Sequence, residues 1–322
     1  MNRKKKISII IPSFNEVKNI GPMYETVKKI CADLPKYESE FIFADNNSTD
    51  GTVEILRALA SADPKVKVIL NSRNYGHIRS PYHAMVQSSG DCVICLVSDF
   101  QDPPELIPEM VAKWEAGNEI VLAVRTDTEA SAVMEVIRGF YYRLVEAISE
   151  VGVIKNFTGY GLYDKKIVDI FRKMDDPYPY SRGMLSEIGF NQAKIEYTQK
   201  KRRSGISRNN FFTLFDFAML GITSTSKLPL RLITITGFAL AIIFFIIALI
   251  YFVYKLIHWD NFQLGLAPMV IGQFFFNGVL LIFLGILGEY VGFIHTRMLK
   301  RPVLEKERLN FDDKPDKKEE SE

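Results

Sequence analysis

The sequence predicts an α/β domain with a mostly parallel sheet covered by helices on both faces, followed by a pair of membrane-spanning helices. Three observations predict it. β-Branched runs alternate with segments of helical spacing through the first part of the chain. Two long apolar runs follow, Pro229–Leu256 and Leu266–Met298. Polar stretches rich in Asp and Asn stand directly after the β-branched runs, at the strand ends where such sheets collect ligands.

In chain order, KISIIIP is the first strand and VKNIGPMYETVKKICADL the first helix. EFIFAD is the second strand and GTVEILRALASA the second helix. KVKVILN, DCVICLVS and EIVLAV continue the strands, with helix-like SPYHAMVQSS and PELIPEMVAKWEAG between them. After Ala132 the chain reads as helix-like until AKIEYTQ, another strand. RNNFFTLFDFAMLGITSTSKL has aromatics at helical spacing without the length to span. It reads as a helix in the interfacial plane, or else as a core helix of the sheet domain. The boundaries are 1–207 for the α/β domain, 208–228 for the juxtamembrane segment, 229–256 and 266–298 for the spans, 257–265 for a short outer loop and 299–322 for a charged tail.

With 322 residues the chain holds one catalytic-sized domain plus a smaller part, and its net charge of +2 gives no reason to expect nucleic acid. About 20 apolar residues cross a bilayer core, so each run is long enough. The N-terminal apolar run is too short for a signal-peptide core, so the α/β domain is expected to stay inside. Lys227, Arg231, Arg297, Lys300 and Arg301 flank one side of the spans and Lys255 the other, which predicts a multi-pass protein of the cytoplasmic membrane with both termini cytoplasmic. The three cysteines fit a reducing compartment. In CVIC the offset of three along a strand sends the two thiols to opposite faces, which excludes a shared redox or zinc role. NNST and NFT spell glycosylation acceptors, but a cytoplasmic domain is not glycosylated there.

Chemistry concentrates at the predicted strand exits. Asp45 ends the second strand, well placed to accept hydrogen bonds from a base or ribose, while Asp50 or Thr49 caps the next helix. In PSFNE, Pro12 stiffens the strand exit and Glu16 either meets a ligand or favours the helix N-terminus behind it. Asp99 and Gln101 are alternate residues with oxygen ligands for a hard divalent cation that completes its shell with water and a diphosphate. Val97 is read as the last buried residue of its strand, and Asp102, before Pro103 and Pro104, as the cap of the following helix. In QKKRRSGIS, Arg202 with Gly205 and Ser207 reads as a phosphate clamp, Arg203 equally as clamp or surface charge, and Lys200 and Lys201 as headgroup contacts. Arg125 and Arg138 are further anion-binding candidates.

IIIPSFNE, ADNNSTDGT, SDFQDPPE and RRSGIS, followed by KLPLRL and two spans, resemble the family-two glycosyltransferases that load sugars onto polyprenyl phosphate. The resemblance runs from Ile7 to about Arg301. It implies a GT-A fold, a nucleotide-diphosphate sugar donor with UDP-glucose as the default, Mg²⁺ or Mn²⁺, and inversion at the anomeric carbon. The acceptor it implies is undecaprenyl phosphate at the cytoplasmic membrane face, and a tetrameric homo-oligomer is in keeping with two-span members. Carried over, Pro12, Phe14, Glu16, Asp45 and Arg125 hold the donor, and Asp99 and Gln101 the metal. Arg138, Arg202, Arg203 and Ser207 meet donor or acceptor phosphates, with Asp99 and Arg202 as the catalytic pair.

Three positions depart from the family pattern. Val97 stands for the first carboxylate of D-x-D, Asn46 for the second Asp of DDGS, and Gly159 where many relatives carry an Asp proposed as base. The last loss is tolerable, because a phosphate monoester with a second pKa of about 6 is mostly ionised and already nucleophilic. Asp164, nearby, is not expected to replace it. Two rival readings remain: a degenerate nucleotide-sugar-binding scaffold, suggested by Val97 and Gly159, and a processive synthase. The synthase is weakened by Arg203 in place of the tryptophan of Q-x-x-R-W.

Overall fold

A computed structural model describes residues 3–127, 139, 143, 145–146, 154–179, 181–200, 218–224, 226–257 and 266–311. Two compact units make up the chain. One comprises residues 1–136, 154–209 and 300–322, the other 137–153 and 210–299.

The first unit is built on an eight-stranded sheet. In chain order its elements are β1 (Lys5–Ser13), α1 (Ile20–Ala32), β2 (Tyr37–Asp45), α2 (Thr52–Ala62), β3 (Val66–Asn71), α3 (Gly76–Val86) and β4 (Cys92–Cys95). A 3₁₀ turn at Pro104–Leu106 leads into α4 (Ile107–Glu115), then β5 (Ile120–Asp127), β6 (Phe157–Asp164), α5 (Lys165–Met174), α6 (Ser181–Glu187), β7 (Gln192–Thr198) and, after the other unit, β8 (Glu305–Leu309). The spatial order is β7-β5-β6-β4-β1-β2-β3-β8.

Strands β4, β1, β2 and β3 are parallel, as the alternating pattern predicts. In the other half β5 and β7, parallel to each other, keep that same direction, and the strands that depart are β6 and β8. FTGYGLYD, inside the stretch read as helix-like, is β6, which runs antiparallel between β4 and β5. Two glycines and two polar residues dilute its apolar signal. Gly161 has a packing reason, since a Cβ there would lie 2.7 Å from the Val121 carbonyl oxygen. The charged tail, read without any element, supplies β8, an edge strand antiparallel to β3. Its EKERL sequence has little apolar content and is held by Arg57–Glu307, His83–Glu305 and backbone pairing.

Period-two alternation divides the core. Ile7, Ile9, Ile11, Phe41, Phe43, Val68 and Ile94 face α1, α2 and α4, while Ile10, Ile42, Ile69 and Val93 face α3, α5 and α6. Cys92 belongs to the first side and Cys95 to the second, as their offset predicts. Both thiols are free, buried and pushed up in pKa by that burial.

The second unit contains α7 (Leu228–Ile257) and α8 (Leu266–Met298). Leu228–Tyr254 and Phe275–Met298 are long and apolar enough to cross a membrane by length and composition, with mean hydropathies of 2.8 and 1.8. Phe244 and Phe276 meet edge to face, 4.1 Å between centroids. Residues 218–224 are helical, and Leu220, Thr223 and Ser226 are buried. Tyr290 donates to the Ser226 carbonyl at 2.8 Å, tying this segment to α8. The rest of the juxtamembrane segment and the outer loop fall outside the described residues.

Candidate functional site

The exits of β1, β2 and β4 form one rim. Ser13 ends β1 opposite Asp45 at the end of β2, and Asn46 N–H donates to the Ser13 carbonyl at 2.9 Å. Fully buried, Asp45 accepts from Ser48 N–H at 2.8 Å, from Ser48 Oγ at 2.5 Å and from Ser13 Oγ at 3.4 Å. Burial pushes its pKa up, against the hydrogen bonds from Ser48 and Ser13.

The two exit loops are stitched together by short polar side chains. Asn15, at φ 56°, donates its N–H to Ser48 Oγ and accepts Thr49 N–H on Oδ1. Glu16 N–H donates to Thr52 Oγ1, while its carboxylate accepts Asn19 Nδ2. Asp50 takes the N–H groups of Thr52 and Val17, both at 3.1 Å, so it bonds the first residue of α2 and the other loop, while the N-cap position itself is Gly51 and neither Asp50 nor Thr49. Asn46 explains its own departure from the family pattern. Its Oδ1 accepts from Asn71 Nδ2 and Tyr75 N–H, and its Nδ2 donates to the Gly76 carbonyl. A carboxylate cannot make that donation.

Past β4 the chain turns sharply. β4 ends at Cys95, so Val97 is not a buried strand residue; it lies two positions beyond and is 36% exposed. Leu96 N–H pairs with the Ile10 carbonyl, and beyond it the chain leaves the ladder and turns Val97 outward. Asp99 is 4% exposed and accepts Gln101 N–H on Oδ1 at 3.0 Å, across Phe100 at φ 61°. Ser98 Oγ donates to the Pro12 carbonyl, linking this loop to β1.

Asp102 is not a helix cap. Its carboxylate accepts from the Tyr197 hydroxyl on β7 and from Thr158 Oγ1 on β6 at 3.4 Å. Pro103 and Pro104 have no N–H to offer it, and the 3₁₀ turn starts without a side-chain cap. Burial raises the Asp102 pKa, offset by Tyr197. The loop is tied further to the end of β7 by Lys200 N–H to the Gln101 carbonyl at 3.2 Å. Arg125, near the end of β5, donates to Gln199 Oε1 at 2.6 Å and so faces the same segment.

β6 runs antiparallel to β4 with Cys95 opposite Gly161, so Gly159 lies toward the β4 exit, at φ 103° with open space where a Cβ would stand. Asp164 lies at the other end, opposite Cys92. It caps α5 through Lys166 N–H at 2.9 Å and accepts Trp114 Nε1 at 2.7 Å. Position and partners both exclude it as a base on the rim.

Pro12, Phe14, Glu16, Asp45, Asp99, Gln101 and Arg125 thus belong to strands or loops that exit on one edge of the sheet. Arg138, Arg202, Arg203 and Ser207 lie outside the described residues. The role of Asp102 escaped the sequence, because Tyr197 and Thr158 lie far along the chain from it. Lys306 on β8, which donates to Asn47 Oδ1 at 2.7 Å, escaped it too.

The family model for glycosyl transferase family 2 matches residues 8–149. The chain is 32% identical over 304 residues to the uncharacterized glycosyltransferase YkcC of Bacillus subtilis (strain 168), covering 94% of each chain. It is 34% identical over 298 residues to the SfII prophage-derived bactoprenol glucosyl transferase of Shigella flexneri, covering 92% of this chain and 96% of that one. Among solved structures it is similar to glucosyl-3-phosphoglycerate synthase from Mycobacterium tuberculosis in complex with Mn²⁺, UDP and phosphoglyceric acid. The identity is 20% and the TM-score 0.45, over 68% of this chain and 77% of that one.

Proposed function

We propose, from the premise that this chain belongs to glycosyl transferase family 2, that it transfers glucose from UDP-glucose to polyprenyl phosphate, with inversion and a divalent cation. The observation that carries the reading is the rim itself. A buried carboxylate, Asp45, ends β2, and a second, Asp99 with Gln101, lies beyond β4, both in a chain similar over 92% of its length to a bactoprenol glucosyl transferase.

The donor set fits Mg²⁺ or Mn²⁺. One carboxylate and one carboxamide, all oxygen, suit a hard ion that keeps water and substrate oxygens in its shell. Asp99 and Gln101 would hold the ion. When bound, it offsets charge on the leaving nucleoside diphosphate. Asp45 accepts hydrogen bonds from the nucleoside, and Pro12, Phe14 and Glu16 bound its pocket. Arg125, Arg138, Arg202, Arg203 and Ser207 meet the phosphates, where guanidinium gives two-point contacts.

In the transfer, an acceptor phosphate oxygen forms a bond to the anomeric carbon as the bond to the diphosphate oxygen breaks, giving inversion. That oxygen is already ionised, so no base is needed, in keeping with Gly159 and with Asp164 capping a helix elsewhere. The helices α7 and α8 anchor the domain with both termini cytoplasmic, bringing the site to its lipid acceptor, and the chain assembles as a homo-oligomer.

Full-length protein incubated with Mg²⁺, undecaprenyl phosphate and a panel of nucleotide sugars tests this. Glucolipid from UDP-glucose is expected. Another sugar would revise the donor, a growing polymer would indicate a synthase, and no product from any donor would indicate a scaffold.

A further inference from the structure

The loop after β3 and the segment after α8 bring three arginines together. Arg73 lies over the Tyr75 ring, 4.1 Å from its centroid, and Arg79 in the first turn of α3 lies over the same ring at 5.1 Å. Arg79 also donates to the backbone carbonyl of Arg301. Burial, with the charges of Arg73 and Arg301, pushes the Arg79 pKa down. Like charges gathered this way repel unless an anion joins them.

Among the described residues, no carboxylate is ion-paired with Arg73, Arg79 or Arg301. The nearby Glu305 is already taken by His83 at 2.5 Å and Arg308 at 2.8 Å. The Nε of Arg79 is buried without an acceptor, a cost that a bound oxyanion removes. Arg73 donates to the Asn74 carbonyl at 3.3 Å and interacts with the Tyr75 hydroxyl, and its side chain is exposed.

Two further facts restrict the ligand. β3 and β4 are separated by β1 and β2 in the sheet, so the cluster lies about 14 Å from the β4 exit at strand spacing, too far to share the diphosphate held at Asp99. In the chain, Arg301 follows Met298, the last residue of α8, by three positions. Basic residues so close to the end of a span lie at headgroup level.

We propose that Arg73, Arg79 and Arg301 form a phosphate-binding site, separate from the donor site, that takes the headgroup of an anionic membrane phospholipid. The inference rests on α8 as a span but not on sugar transfer. Guanidinium forks pair with phosphate oxygens at two points, and the Tyr75 ring keeps two of them in place. Headgroup binding would also steady the segment after α8, whose strand β8 contacts the Asp45 loop through Lys306.

The test uses detergent-solubilised full-length protein and calorimetric titration with dihexanoyl phosphatidylglycerol, dihexanoyl phosphatidylcholine, geranyl phosphate, inorganic phosphate and UDP. Phosphatidylglycerol should bind more tightly than phosphatidylcholine. The double variant Arg73→Gln/Arg301→Gln, exposed at both positions, should weaken phosphatidylglycerol binding by about tenfold or more and leave UDP binding unchanged. Arg79→Lys should weaken it less, keeping charge but losing the fork. Equal binding by wild type and double variant overturns the site. Inorganic phosphate binding as tightly as the lipid overturns the headgroup assignment. Losses confined to geranyl phosphate or UDP would assign the arginines to acceptor or donor instead. A scaffold without transferase activity would still bind phosphatidylglycerol, so failure of the enzymatic reading is distinguishable.

Discussion

Glu40 and Asp45 lie on the same strand, β2, both almost fully buried, in opposite surroundings. Glu40 is compensated: Ser8 Oγ at 2.5 Å, Ser89 N–H and Oγ at 2.8 Å, and Lys67 Nζ at 2.9 Å. Burial raises its pKa, but Ser8, Ser89 and Lys67 outweigh that and hold it below the usual range. Asp45 has hydroxyl and N–H donors, and burial leaves its pKa raised. The N-terminal half of the strand is finished internally. At the rim, a carboxylate is left short of charge compensation, which a ligand can relieve with its own donors.

The largest expected break is at the rim. Asp99→Ala should lower kcat/KM by about 10³-fold, roughly 4 kcal/mol, with circular dichroism unchanged. Retained turnover would remove the metal assignment. Glu40→Ala should do the reverse. It strands Lys67, whose side chain is 13% exposed, and should cost about 3 kcal/mol in denaturant unfolding while the folded fraction turns over normally. If Glu40→Ala proves neutral, the two halves of β2 do not differ as described.

Asp45→Asn is the finer probe. Donor KM should rise about tenfold, or 1.4 kcal/mol, with stability unchanged or improved because a buried charge is gone. A stability loss would make Asp45 a structural residue like Glu40. The smallest effect concerns β8. The Glu305 pKa is lowered to about 2, where burial is outweighed by His83 and Arg308. A folded value below the unfolded value of about 4.3 means that its stabilisation is full above that pH and is lost as pH falls toward 2. Glu305→Gln should flatten the acid limb of the stability curve in that window. Asp45 has the opposite sign, since its raised pKa favours the folded state on protonation.

Much of the candidate rim was legible because each strand-exit signal is local. PSFNE, DNNSTDGT and SDFQDPPE each follow directly from a β-branched run, so their rim positions need only the parallel order of three strands. Asp102 was misread because Asp-Pro-Pro has the local spelling of a cap, whereas its partner Tyr197 lies 95 residues away. β6 was missed because FTGYGLYD carries glycines where backbone approach matters more than apolar content. β8 was missed because charged side chains and an edge ladder hold most of it, with Leu309 packed against the core.

By itself the sequence determined the α/β class, the mostly parallel sheet, the division of CVIC between two faces, the two apolar helices and the family. All of these follow from periodicity, apolar length and contiguous motifs. Only the tertiary structure decided that β6 runs antiparallel between β4 and β5 and that the segment after α8 returns to the sheet beside β3. It also decided that Asp102 braces β6 and β7, that Asp164 caps a helix away from the rim, and that Arg73 and Arg79 share the Tyr75 ring, with Arg79 reaching the Arg301 carbonyl. The physical reason is the same throughout. Partner choice among polar side chains depends on which strands and loops lie side by side, and that adjacency leaves no trace in the local pattern of either partner.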